Sequence, residues 1–125
     1  MLSYKLNFYN VLMKYLKEQE KTYKNVIVVG DYNICHNEID IARPKENQGS
    51  IGFLPIERDK VTEFLNAGYV DVFRYLYPEL TDQYTRRSYR ANAKVNNVGW
   101  RIDYACINES AKDKILMGVE RKSMV

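Results

Sequence analysis

Apolar and polar residues along the chain fall into two periods. Over residues 2–20, Tyr4, Phe8, Val11, Leu12, Tyr15 and Leu16 recur every three or four positions, which predicts a helix with one apolar face. Ser3 stands where it could cap that helix, and Lys5, Lys14, Lys17, Glu18 and Glu20 fall on the other side. A different signal follows: Val26, Ile27, Val28 and Val29 are consecutive, β-branched and end at Gly30, the mark of a strand buried on both faces. Pro55 opens a second helix whose buried stripe is Val61, Phe64 and Leu65 and whose left-handed cap is Gly68. Residues 69–72 read as extended, and Phe73, Tyr75, Leu76 and Tyr77 as a helical turn stopped by Pro78. Residues 84–90 and 100–107 alternate and are joined by the turn formers Asn92, Lys94, Asn96 and Asn97, so a hairpin is expected. Its second strand places Trp100, Ile102, Tyr104 and Cys106 on one face and Arg101, Asp103 and Ala105 on the other. A helical turn at 110–115 and an extended piece at 117–121 close the chain. Helix, loop, buried strand and helix again make an α/β grammar.

Chemistry enters where the apolar run stops. Gly30 is followed by Asp31, Tyr32 and Asn33; strand alternation puts Asp31 and Asn33 on one side and Tyr32 on the other. An acceptor-only carboxylate beside a donor-capable amide suits a phosphate, the acid for a metal or a water and the amide for an oxyanion. The same tetrapeptide also serves any turn, because Asp and Asn satisfy turn amides with their side chains. Asp103 needs a partner if it lies within a sheet, and Arg101 on its own face is the nearest one. Residues 34–54 form a long connection, pegged by Ile39, Ile41, Ile51, Phe53 and Leu54, that presents Arg43, Lys45, Asn47 and Gln48, donors of the kind a phosphate backbone meets. A solvated basic loop is the plainer reading. His36, the only histidine, reads as structural, and Cys35 and Cys106 as two small buried thiols.

Composition narrows this little. One domain is expected of 125 residues, 46% of them hydrophobic, and a chain of that size buries a real core. A net charge of +3 selects no partner, and eleven tyrosines serve cores and nucleic-acid surfaces equally. With no signal peptide and no apolar run long enough to span a bilayer, no membrane partner and a cytoplasmic, nucleoid-associated protein are the expectation.

Three blocks in order, VIVVGDYNICHNEIDIARPKENQGSIGF, PIERDKVTEFLNAGYVDVFRYLYP and YTRRSYRANAKVNNVGWRIDY, resemble the exonuclease III family of abasic-site endonucleases in the endonuclease/exonuclease/phosphatase superfamily. The resemblance implies an α/β fold: residues 1–125 as a single partial domain, the C-terminal half of a four-layer α/β sandwich of the DNase I type, with a mixed sheet and flanking helices. It implies catalytic roles for Asp31 (proton transfer, close to the metal), Asn33 (stabilising the phosphoryl transition state) and Asp103 (orienting a terminal histidine), with Mg²⁺ or Mn²⁺ at Asp31 and Asn33. The implied partner is double-stranded DNA with abasic sites or 3′ ends. Lys45 and Asn47 match phosphate-gripping loop positions, Arg43 stands beside them, and Trp100 and Ile102 match walls of the pocket that takes the extruded sugar. Arg86 and Arg87 replace aromatic residues common in relatives, and are expected to stack on a base or contact phosphate. The family's earlier Asn, Glu and Tyr and its Ser-Asp-His block have no match here, so little or no catalysis is expected of this chain alone, and an exposed sheet edge invites a homo-oligomer. A DNA-binding or structural fragment and a phosphoesterase of the same superfamily are the alternatives.

Overall fold

The 3.6-residue pattern at the start of the chain forms helix α1 (Leu2–Glu20), with Ser3 inside it rather than at its cap. This is a computed structural model, and it describes residues 2–87 and 99–115. The helix has two apolar faces, not one. Tyr9 and Leu16 are buried, with Leu12 and Met13 packed beside them, whereas Tyr4, Phe8, Val11 and Tyr15 are all more than half exposed. Six apolar positions at mixed three- and four-residue spacings are too many for a single stripe, and the face that meets the core is the one centred on Tyr9.

Strand β1 (Ile27–Asp31) follows, then a 3₁₀ turn at Glu38–Asp40, helix α2 (Pro55–Asn66), strand β2 (Tyr69–Asp71) and a short helix α3 (Val72–Leu76). The last strands are β3 (Arg86–Arg87), β4 (Gly99–Trp100) and β5 (Asp103–Asn108), with a 3₁₀ turn at Glu109–Ala111. The expected segment at 117–121 and the turn of the expected hairpin lie outside the described residues. The main sheet has the order β1-β5-β2, antiparallel throughout, with Val28 opposite Cys106, Gly30 opposite Tyr104 and Asp31 opposite Asp103. One face of that sheet packs on α1 and α2 through Tyr9, Tyr32, Ile34, Val61, Phe64, Tyr104 and Cys106. Aromatic rings fill much of this layer: Tyr32 meets Tyr104 edge-on at 4.8 Å between centroids, and Phe64 stacks on Tyr69 at 5.0 Å. The architecture is α/β, a sheet with flanking helices.

The reading of β1 as buried on both faces is corrected. Ile27 is 60% and Val29 73% exposed. Among the described residues β1 pairs with β5 alone and so stands at a sheet edge. On the face away from α1 and α2, α3 and the turn at Glu109–Ala111 cover Val70 and Ile107 but do not reach Ile27 or Val29. The hairpin is corrected as well. Only Arg86–Arg87 and Gly99–Trp100 pair with each other, and β5 turns away to lie between β1 and β2. The break falls at Arg101 and Ile102, both buried, where a strictly alternating strand would have kept one of them outside.

Arg101 is the reason for that break. Its backbone N–H donates to the Asp40 carbonyl at 2.7 Å, its Nε to Asp40 Oδ1 at 2.9 Å, and its Nη2 to Asp71 Oδ2 at 2.6 Å. Arg74 donates to the same Asp40 oxygen at 2.5 Å, and the Arg101 guanidinium lies between the rings of Phe73 and Tyr104. Burial disfavours the Arg101 charge, yet the bonds to Asp71 and Asp40 outweigh it and hold the group protonated more firmly than usual. Arg101 is therefore the partner of Asp40 and Asp71, not of Asp103. No described helix is long and apolar enough to cross a membrane.

Candidate active site

Strand β1 ends by leaving the core, and the backbone bends sharply to do so. Gly30 has φ +150° and Asn33 φ +57°, while Tyr32 between the acid and the amide turns inward, its hydroxyl donating to the Val28 carbonyl at 2.8 Å. Asp31 and Asn33 both end on the outer side, Asp31 as the last residue of β1 and Asn33 by its left-handed backbone beyond it, and both border a cleft of about 880 Å³ that also touches Lys5, Phe8, Val29 and Ile51. Asp31 Oδ1 accepts the backbone N–H of Asn33 at 2.8 Å, which is the ordinary turn-forming use of an aspartate. The Asn33 side chain, oriented by its hydrogen-bond partners, brings its amide nitrogen to 3.2 and 3.3 Å from the two Asp31 oxygens.

Across the sheet, Asp103 stands directly opposite Asp31. Two carboxylates in that relation repel, and the cation between them is Arg86. Its Nε lies 3.3 Å from Asp103 Oδ2 and its Nη2 3.7 Å from Asp31 Oδ2. Arg86 is carried there by Thr85, whose N–H donates to the Trp100 carbonyl at 3.0 Å and whose hydroxyl accepts the N–H groups of Ile102 at 3.0 Å and Asp103 at 3.2 Å. Asp103 also borders a second cavity of about 380 Å³ beneath α3.

The basic loop meets this site along one side. Ile41 and Phe53 peg it into a small core with Cys35 and Ile102, while Ile51, expected as a peg, is 73% exposed. Arg43 and Lys45 point to solvent, and Arg43 has φ +52°. Asn47 is spent on the loop itself: its amide donates to the carbonyls of Ala42 at 3.1 Å and Arg43 at 3.0 Å, and its oxygen accepts from Ser50. Trp100 sets one edge of its indole ring against Gly52, at φ +99°, where a Cβ would collide with the ring, so the wall it builds requires glycine behind it. Ile102 is 6% exposed and backs that wall from inside rather than lining its surface. Arg87 is exposed beside Arg86.

Two contributors were not apparent from the sequence. Lys5 reaches from α1 to the Asn33 carbonyl at 3.0 Å and to Glu57 Oε2 at 2.6 Å. Glu57 is fully buried, and its other oxygen accepts the N–H groups of Gly52 at 2.6 Å and Leu54 at 3.2 Å, tying helix α1, the strand end and the basic loop together. In the sequence Glu57 is no more than an acid near a helix N-terminus. His36 takes no part: the Asn37 amide donates to its Nδ1 and its Nε2 meets Thr62 Oγ1 at 2.7 Å, and burial lowers its pKa. Cys35 and Cys106 are free and buried, their thiols pushed up to about 12 chiefly by burial.

Residues 1–116 match the model of the endonuclease/exonuclease/phosphatase family. The chain is 44% identical over 114 residues to an exodeoxyribonuclease of Bacillus subtilis, covering 91% of this chain and 45% of that protein. It is 37% identical over 114 residues to a DNA-(apurinic or apyrimidinic site) endonuclease of Dictyostelium discoideum, covering 91% of this chain and 32% of that protein. Among solved structures, an AP endonuclease from Archaeoglobus fulgidus superposes with a TM-score of 0.78 at 28% identity, over 89% of this chain and 43% of that one. The chain thus spans less than half the length of these relatives.

Proposed function

Since the chain belongs to the endonuclease/exonuclease/phosphatase family, we propose that its strand-end cluster serves the hydrolysis of DNA phosphodiesters, as part of a DNA-repair nuclease of the exonuclease III type. The substrate is duplex DNA, cut 5′ to an abasic site or trimmed from a 3′ end. The observation that supports this best is the convergence of Asp31, Asn33 and Asp103 at one strand end, outward-facing and beside a loop bearing Arg43 and Lys45. The donor set fits a hard cation. Asp31 and Asn33 offer a carboxylate and an amide oxygen at the strand end, and one or two carboxylates beside substrate phosphates is how Mg²⁺ or Mn²⁺ is commonly held. When bound, such an ion polarises the phosphate and steadies the leaving oxygen.

The chain's own groups divide the remaining work. Asp31 holds or passes a proton at its carboxylate, whose Oδ1 accepts the Asn33 N–H and whose Oδ2 faces the Asn33 amide and Arg86. Asn33 has two amide protons and needs one for Asp31, which leaves one for a phosphate oxygen. Arg43 and Lys45 set the strand's register through its phosphates without reading sequence, with Trp100 walling the position of an extruded sugar. Asp103 holds a partner group in place. A histidine is not among the groups assembled here, because His36, the only one, is bonded to Thr62 and Asn37. The 125-residue chain by itself therefore binds duplex DNA with little or no turnover.

The test is a nicking and duplex-binding assay on the purified chain with Mg²⁺ and an abasic oligonucleotide, beside Asp31→Ala. Duplex binding without nicking fits both parts of the proposal. Nicking that disappears in Asp31→Ala keeps the nuclease and contradicts the inactivity of the chain alone. Absence of both binding and nicking, or hydrolysis confined to a soluble phosphomonoester, contradicts the nuclease.

A further inference from the structure

Glu57, on α2, is fully buried, and a carboxylate so placed is costly unless it is bonded. Its Oε1 accepts the N–H groups of Gly52 and Leu54, where the basic loop ends, and its Oε2 accepts Lys5 Nζ of α1 at 2.6 Å. Gly52 is held from its other side as well: its carbonyl accepts the Cys35 N–H at 2.8 Å, and its Cα lies against the Trp100 ring. Lys5 also donates to the Asn33 carbonyl at 3.0 Å. Asn33 has the left-handed backbone, φ +57°, that leaves its amide on the outer side, and a residue with a side chain keeps such a conformation only where its surroundings hold it. Here the Asn33 N–H is fixed on Asp31 Oδ1 and the Asn33 carbonyl on Lys5. One charge pair thus runs from the turn that aims the amide to the glycine behind the Trp100 wall. Joining two helices does not need that route. Lys60 of α2 does it by donating to Asn10 Oδ1 of α1 at 3.0 Å and to Glu63 Oε2 at 2.9 Å, and none of these three residues lines the cleft that Lys5 shares with Asp31 and Asn33.

We propose that Lys5 and Glu57 are positioning residues of the phosphate site: the pair holds the left-handed turn at Asn33 and the Gly52 end of the basic loop in one register, and so sets where the Asn33 amide meets a phosphate oxygen. Neither touches the reacting atoms. The proposal rests on the nuclease reading only in assigning the Asn33 amide to phosphate. It gives helix α1, whose sequence shows a packing pattern and no chemistry, a part in the site through one lysine.

Binding of a fluorescently labelled abasic duplex to the 125-residue chain in Mg²⁺, followed by anisotropy, tests this in Lys5→Met/Glu57→Gln and in the matched pair Lys60→Met/Glu63→Gln. Each pair removes one positive and one negative charge, so the net charge facing DNA is unchanged, and the glutamine of the first keeps an oxygen for the Gly52 and Leu54 N–H groups. Lys5→Met/Glu57→Gln is expected to weaken binding by about three- to tenfold, the scale of one hydrogen bond misplaced at the phosphate, and Lys60→Met/Glu63→Gln by less than about twofold. Asn33→Gly keeps the left-handed backbone and lacks the amide; in that background the first pair is expected to add less than about twofold, because a residue that acts through Asn33 has nothing left to position. A loss equal with and without the Asn33 amide, or equal in the two pairs, overturns the positioning role, and the nuclease reading then stands if Asn33→Gly by itself weakens binding. Asn33→Gly without effect, or no duplex binding in any form, overturns both. Should circular dichroism show the first pair unfolded, Lys5→Gln, which keeps a donor for Glu57 and gives up the Asn33 carbonyl, takes its place with the same expected outcomes.

Discussion

The molecule contains two clusters in which arginine meets aspartate, and they are built to opposite specifications. Around Asp40 the groups are buried or nearly so, the shortest bond of each pair is 2.5–2.9 Å, and the Arg101 guanidinium is further enclosed by Phe73 and Tyr104. Around Asp31 and Asp103 the acids are about one-third exposed, the bonds exceed 3.2 Å, and like charges face each other. The first cluster joins the 3₁₀ turn at Glu38–Asp40, β2, α3 and the approach to β5, so removing a member leaves a buried charge short of a partner. The second bridges the ends of β1 and β5, whose register the backbone ladder already sets. Where charge is held tightly it serves the fold; where it is held loosely at a strand end it is available to a ligand.

That contrast is broken most directly by Asp40→Ala. It takes Asp40 from Arg74 and from Arg101, which keeps Asp71, and is expected to cost about 3 kcal/mol in urea unfolding; a loss under 1 kcal/mol would show the network to be incidental. Next in size is Gly52→Ala, where both φ +99° and the Trp100 ring oppose a side chain. A loss of about 1–3 kcal/mol is expected, with indole fluorescence reporting the displaced ring. An unshifted spectrum and unchanged stability would show the wall to be soft.

A smaller effect is carried by His36. Because burial lowers its pKa below the usual 6.5, the unfolded chain takes up more protons than the folded one between the two values. Its contribution to stability is whole above pH 6.5 and drains away as pH falls through 6.5 toward the folded value. Comparing urea midpoints at pH 7.5 and 5 should show a steeper loss in the unaltered protein than in His36→Gln, and equal losses would remove the histidine from the account. Smallest of all is Asp31→Asn, expected to change stability by less than about 0.5 kcal/mol and in the stabilising direction, because it relieves the repulsion from Asp103. A marked destabilisation there would place Asp31 with the structural cluster.

The same contrast explains what could be read from the chain. Alternation through Asp31 and Tyr32 puts the acid outside with the ring inside, and the amide expected beside the acid is there too, by a left-handed turn at Asn33. Helix α2 was equally legible, from Pro55 to Gly68, because its signals are local. Arg101 was assigned to the wrong acid because its partners, Asp71 and Asp40, lie 30 and 61 residues away while Asp103 is two positions along the chain. Pulling Arg101 inward also cut short the hairpin that simple alternation extends to residue 107. The exposed face of β1 was hidden for another reason: four β-branched residues look alike whether a second layer covers them or not, and α3 stops at β2 and β5. Glu57 and Lys5 left no pattern, since their bond joins two helices whose packing periodicity does not encode.

The central claim is that the end of β1 and the loop beside it form one surface for a DNA phosphate. Residue-by-residue amide shifts of the 125-residue chain, titrated with an abasic duplex in Mg²⁺, test it in a single experiment. Perturbations concentrated at residues 30–33, 43–47, 86–87 and 103 are the predicted result. Shifts confined instead to the exposed side of α1 around Tyr4, Phe8, Val11 and Tyr15, with the strand end silent, would contradict it.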